Sequence, residues 1–167
     1  MTKIGILSDT HGFLDESVMN ALKNCDEIWH AGDIGSEEVY NQLKDFKPLR
    51  AVYGNMDGGA LRYIELRQFN FFQCEQVSVL LTHIGGYPKR YAFEARQEIL
   101  KYKPQLFVCG HSHILKVQYD KDFNMLCVNP GAAGISGQHM VRTIIRLEID
   151  GTNIQNLEVV EFPKHVN

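Results

Sequence analysis

A chain of 167 residues with 44% hydrophobic content has the size of one domain, residues 1–167, and enough apolar side chains to bury a core without staples. Its 17 basic and 20 acidic residues leave a net charge of −3, which excludes a general attraction to nucleic acid or to an anionic membrane, so any phosphate binding has to be local. The four cysteines, Cys25, Cys74, Cys109 and Cys127, form no Cys-x-x-Cys pair and read as buried free thiols of a cytoplasmic protein.

The first apolar run, residues 3–7, breaks at Ser8-Asp9 and is too short for a secretion-signal core; no later segment approaches membrane-spanning length. This run reads as a buried strand ending in the loop Ser-Asp-Thr-His-Gly. A helix is expected next, with Asp15 as N-cap and Val18, Met19, Leu22 and Cys25 on one face. The unit then repeats: a strand over residues 27–30 leads to Gly32-Asp33, and a helix runs from Ser36 to about Asp45. A third strand, residues 49–53, ends in Gly54-Asn55. Strands alternating with helices at this spacing indicate βαβ units and a parallel sheet with right-handed crossovers.

The middle of the chain changes character. Residues 63–66 and 67–72 have strand composition and lead into a hairpin around Cys74-Glu75-Gln76, with residues 77–82 returning toward His83. The aromatic run Phe69 to Phe72 reads as packing or as the face of a homo-oligomer. A helix over residues 91–102 stops at Pro104, and a strand over 106–109 ends in Gly110-His111-Ser112-His113. Beyond it the pattern is all-β, with strands near 115–119, 125–128, 141–149 and 154–161. The expected fold is therefore α/β, a two-sheet core with flanking helices.

Side chains able to bind metals fall at Asp9, His11, Asp33, Asn55, His83, His111 and His113, each just after an expected strand. Ligand sites of open α/β sheets form beyond the carboxyl ends of the strands, so these residues converge although they are distant in sequence. Two carboxylates, one amide and four imidazoles suit a pair of divalent transition ions, and the absence of cysteine disfavours a structural zinc site. Two such ions outweigh the two carboxylates, so the loaded site attracts phosphate.

The pattern Asp9-x-His11, Gly32-Asp33, Gly54-Asn55-x-Asp57, His83 and Gly110-His111-x-His113, with the turn Asn129-Pro130-Gly131, resembles the calcineurin-like metallophosphoesterases, in particular their small cap-less prokaryotic phosphodiesterases. The resemblance implies two mixed β-sheets packed as a sandwich with flanking helices. It implies that Asp9, His11 and His113 hold one ion, that Asn55, His83 and His111 hold the second, and that Asp33 bridges them. The implied reaction is an in-line displacement by a metal-bridging hydroxide on a small phosphate ester, with Mn²⁺ favoured and Ni²⁺, Fe or Zn²⁺ eligible. Many family members carry His where this chain has Met56, and that His is the usual acid for the leaving group. Its absence removes a contribution of roughly 10²–10⁴-fold or shifts it to another group, which favours good leaving groups or diesters.

Around these ligands, His30 is expected to support Asp33 through a hydrogen bond, Asp57 to orient His111 or another ligand, and Arg62, Lys89 and Arg90 to contact substrate. His139 could line the pocket but lacks a motif, and His165 reads as a solvated tail residue. Taken singly, Asp9 could be a turn or cap residue, Asn55 a left-handed turn residue, and each histidine an ordinary loop side chain. Seven such accidents in order at strand ends are far less probable than a site. The rival reading is a non-catalytic protein-interaction scaffold on the same fold, as in the retromer's metallophosphoesterase-like subunit. Nucleic acid is not expected beyond nucleotides as substrate, since no basic cluster surrounds the aromatic run.

Overall fold

A computed structural model describes residues 1–165. Three parallel strands, β1 (Thr2–Leu7), β2 (Glu27–His30) and β3 (Leu49–Ala51), form one half of the first sheet. The long hairpin β11 (Val141–Asp150) and β12 (Asn153–Pro163) extends it antiparallel, giving the order β12-β11-β1-β2-β3. The second sheet has the same logic. Its parallel strands are β5 (Val77–Thr82), β8 (Leu106–Val108) and β10 (Met125–Asn129), flanked by antiparallel β4 (Phe69–Cys74) and β9 (Lys116–Asp120) in the order β4-β5-β8-β10-β9. Both sheets are mixed, as the sequence leads one to expect.

The period of two along each strand assigns its side chains to two cores. Ile4, Ile6 and Trp29 of the first sheet meet Val79, Leu81 and Val108 of the second between the sheets. The alternate residues Leu7 and Ile28 face outward against Val18 and Leu22 of helix α1 (Glu16–Leu22) and Val39 and Leu43 of helix α2 (Glu37–Phe46). Leu80 and Phe107 face the opposite way, against Ala95 and Ile99 of helix α3 (Phe93–Tyr102). Strands buried on both faces explain why their sequences are continuous apolar runs. All four cysteines are buried and free. Among the described residues no helix is long and apolar enough to cross a membrane.

Helix starts follow the expected caps: Asp15 accepts from the amide of Val18, and Ser36 from that of Val39. Phe72 packs edge-on to Trp29 and Phe71 stacks on Tyr102, so the aromatic run is engaged within the chain.

Three expectations are corrected. Residues 63–66 are not a strand: Leu61–Glu65 form a π-helical turn, closed by the Leu66 amide on the Leu61 carbonyl. Tyr63 and Ile64 are each 79% exposed there, and only Leu61 reaches the core, so strand-like composition finds no partner strand. β3 ends at Ala51 rather than residue 53, and residues 91–92 do not begin α3. Instead β6 (Gly86–Tyr87) and β7 (Arg90–Tyr91) form a small hairpin ahead of it.

Candidate metal centre

The parallel strands of both sheets point their carboxyl ends to one edge of the sandwich. The loops after β1, β2, β3, β5 and β8 carry all seven candidate ligands to it. Five of the seven, Asp9, His11, Asp33, His111 and His113, have positive φ (46–72°). Left-handed backbone costs an ordinary residue about 1–2 kcal/mol, and its concentration here shows that the fold overrides local preference to aim these side chains. Close approach adds a second constraint, since a Cβ on Gly54 would collide with Asp33 Oδ1 and one on Gly110 with Ser8 Oγ.

The side chains fall into two adjacent groups. Asp9, His11 and His113 offer ligand atoms all within 4.8 Å of one another, and so do Asp33, His83 and His111. His113 Nε2 lies 3.1 Å and His11 Nε2 3.5 Å from Asp9 Oδ1. Asp33 stands between the groups: its Oδ2 is 3.0 Å from His83 Nε2 and 3.7 Å from His11 Nε2. Asn55 joins the second group, with its Oδ1 3.0 Å from His111 Nδ1.

Asp9 and Asp33 are buried carboxylates that pair with no Lys or Arg among the described residues. Burial opposes their ionisation, but for Asp9 the imidazoles of His11 and His83 and the Ser8 hydroxyl outweigh it and hold the carboxyl at about 2. For Asp33 burial is likewise overcome, by His83 and the Met56 amide, and its pKa is lowered. Conversely, Asp9 raises the pKa of His11. Burial lowers that of His83, but Asp33 and Asp9 prevail and raise it. A divalent ion held here would take the place of the imidazole protons as the counter-charge of two ionised, buried carboxylates.

The donors fit such an ion. The Nε2 atoms of His11 and His83 are buried without a hydrogen-bond partner. For His83 the reason is visible, because its Nδ1 donates to the Ala31 carbonyl (2.8 Å) and leaves the Nε2 lone pair turned toward the carboxylates.

The surrounding polar network differs in part from the sequence reading. His30 does not bond Asp33. Its Nδ1 accepts from the Gly32 amide (3.1 Å), so its Nε2–H donates to Thr10 Oγ1 (3.0 Å), and the Thr10 hydroxyl donates to the Ile34 carbonyl (2.8 Å). Burial pushes this imidazole down to about 4, and it stays neutral as a strut between two loops. Asp57 does not orient His111. Its carboxylate accepts from the amides of Ile34 (3.1 Å), Gly35 (2.9 Å) and Gly54 (2.9 Å), tying the loop of Asp33 to the loop of Asn55.

Arg62 lies over the Tyr53 ring, 4.5 Å from its centroid. Lys89 and Arg90 belong to the β6–β7 hairpin, and among the described residues no hydrogen bond or ion pair joins these three cations to the seven. Met56 places only its backbone at the site, donating to Asp33 Oδ1 (2.8 Å), while 69% of the residue is exposed.

Sequence reasoning gave no role at the site to Ser8 or Asn129, and it named His139 only as a possible lining residue. Ser8 donates to Asp9 Oδ2 (2.6 Å), which also accepts from the His111 amide (3.1 Å). Asn129 donates to the Gly110 carbonyl (3.0 Å) and Ser112 Oγ (3.1 Å), pinning the His111 loop; its place in an Asn-Pro-Gly turn was the available signal. His139 packs edge-on to His113, 5.3 Å between centroids, and donates to the Gly134 carbonyl.

Two mixed sheets whose strand ends deliver adjacent imidazole–carboxylate groups define an α/β protein with a candidate metal centre at one edge. The family model of the calcineurin-like phosphoesterase superfamily domain matches residues 2–152, and the chain belongs to that superfamily. A probable metallophosphoesterase of Methanothermobacter thermautotrophicus is 29% identical over 157 residues, covering 90% of this chain and 88% of its own length. Among solved structures, a novel archaeal phosphodiesterase superposes with a TM-score of 0.76 at 21% identity, over 95% of this chain and 99% of that one. Vps29 from Chaetomium thermophilum gives 0.74 at 18% identity, over 99% and 100%.

Proposed function

We propose that this protein is a two-metal phosphodiesterase. In this reading Asp9, His11 and His113 hold one divalent cation, Asn55, His83 and His111 hold the other, and Asp33 serves both, with Mn²⁺ the favoured ion. The observation that carries it is the pairing of two ligand groups around ionised, buried carboxylates, with two imidazole nitrogens buried and unpartnered beside them. Bound there, the cations supply Lewis acidity toward phosphoryl oxygens and an activated water as nucleophile.

The chain's own residues set the conditions. Asp9 and Asp33 stay ionised, the Ala31 carbonyl fixes the tautomer of His83, and the Asp57 and Asn129 networks hold the loops so that the ligands need no rearrangement. With an exposed methionine at position 56, which has no proton to give, departure of the leaving oxygen depends on that group's own acidity, which favours diesters with acidic alcohols. The purified protein should hydrolyse a bis-aryl phosphodiester when Mn²⁺, Ni²⁺ or Zn²⁺ is supplied. Inactivity with all three ions would sink the proposal.

The likeness to Vps29 structures supports a second reading, a protein-interaction scaffold. Retention of all seven donors in this chain favours the enzyme. Elemental analysis separates the two: about two ions per chain is expected for the enzyme, and none after metal supplementation for a scaffold that has lost its metals.

A further inference from the structure

Beside His111 lies a cavity of about 310 Å³ that none of the ligand chemistry above uses. It opens between the β6–β7 hairpin and the loop that follows β8. Ile84, Tyr87, Pro88, Ala92 and Ile114 supply apolar walls. Gly110, His111 and Asn129 line it as well, so it is continuous with the candidate metal centre. Among the described residues its lining includes Arg90 and Lys116 and no carboxylate, and Lys116 Nζ sits 4.0 Å from the centroid of the Tyr87 ring.

Size and chemistry narrow the occupant. Small-molecule sites span roughly 300–1,000 Å³, and a cavity at the lower bound takes a single ring system. Apolar walls favour a flat, uncharged group, and lining cations without a carboxylate favour one attached to an anion. The phosphate of an ester held at the metal centre is such an anion, adjacent through His111.

We propose that this cavity is the subsite for an aromatic substituent, an aryl group or a nucleobase, of the phosphate ester bound at the metal centre. The inference rests on the phosphodiesterase reading above. Tyr87 and Ile114 flank the ring, while Lys116 and Arg90 offset the charge of the attached phosphate.

Calorimetric titration of the Mn²⁺-loaded protein with phenylphosphonate, adenosine 5′-phosphate and methylphosphonate tests it without relying on turnover. At least one aromatic probe should bind about tenfold or more tighter than methylphosphonate, the gain expected for burying one ring. Tyr87→Ala, which removes a wall, and Ala92→Leu, which fills the cavity, should each abolish that advantage while methylphosphonate affinity and metal content stay as in the parent. If all three probes bind alike in the parent, or the advantage survives both substitutions, the subsite is refuted and the metal centre stands. A protein that takes up no metal and binds no phosphonate removes the phosphodiesterase reading itself.

Discussion

His83 Nε2, buried and without a hydrogen-bond partner, lies 3.0 Å from Asp33 Oδ2, so residues that follow strands of different sheets face each other at the site. Because Asp33 is also within 3.7 Å of His11 Nε2, this contact couples the two ligand groups. On the two-metal reading, replacement of His83 by Ala should therefore reduce the bound ions from about two to about one and lower hydrolysis of a bis-aryl phosphodiester by at least about 10²-fold. Elemental analysis beside steady-state kinetics checks it; full metal occupancy in the variant would contradict the assignment.

Asp57 is 5% exposed and satisfies three backbone amides from two loops. Asp57→Asn turns a donor toward those amides and leaves at least one unpaired, at a cost of about 1–3 kcal/mol. Denaturant unfolding of the metal-free protein should show that loss, and metal titration a weakening of about 10–100-fold. Unaltered stability together with unaltered affinity would show that the loops are held by other means.

The acid stability of the metal-free protein should fall in two steps. Burial depresses His30 from 6.5 to about 4, so its contribution is complete above pH 6.5 and is lost as pH falls through 4. Asp9, held at about 2 against an ordinary 3.8, contributes fully above 3.8 and loses its share as pH falls through 2. His11 and His83 are shifted upward, so their contribution is present below 6.5 and is lost as pH rises through their folded values. His30→Gln should change the slope of unfolding free energy against pH between 4 and 6.5 and leave the Asp9 step in place. A slope identical to the parent's in that window would disprove the His30 assignment.

Met56→His should add an acid at an exposed position whose backbone already touches Asp33. Hydrolysis of a phenyl ester should gain about tenfold to 10²-fold, whereas a p-nitrophenyl ester should gain little, because its leaving group needs no proton. A series of aryl leaving groups reads the difference, and an equal gain across the series would argue for a binding effect instead.

The strand ends were legible because each buried strand is an apolar run that stops at a polar, metal-capable residue, as Leu7 gives way to Ser8-Asp9 and Val108 to Cys109-Gly110-His111. The two-sheet pattern followed from the same runs. The partners of Asp57 and His30 were not legible, because both side chains bond backbone amides or a hydroxyl that carry no distinctive residue signature. The π-helical turn at Leu61–Glu65 escaped because Tyr63 and Ile64 have strand composition yet face solvent. The β6–β7 hairpin, two residues per strand, is shorter than any periodicity can register, and with it went the cavity beside His111.

The left-handed backbone at Asp9, His11, Asp33, His111 and His113 bears on how such a chain can change over time. Glycine relieves that strain at each of these positions, and asparagine tolerates it without bringing a charge. Substitutions that give up the candidate metal ligands would thus relax the loops and, at Asp9 and Asp33, remove buried charge, so the architecture gains stability as the donor set is lost. This chain carries a metal-capable side chain at all five positions, against the preference of its own backbone.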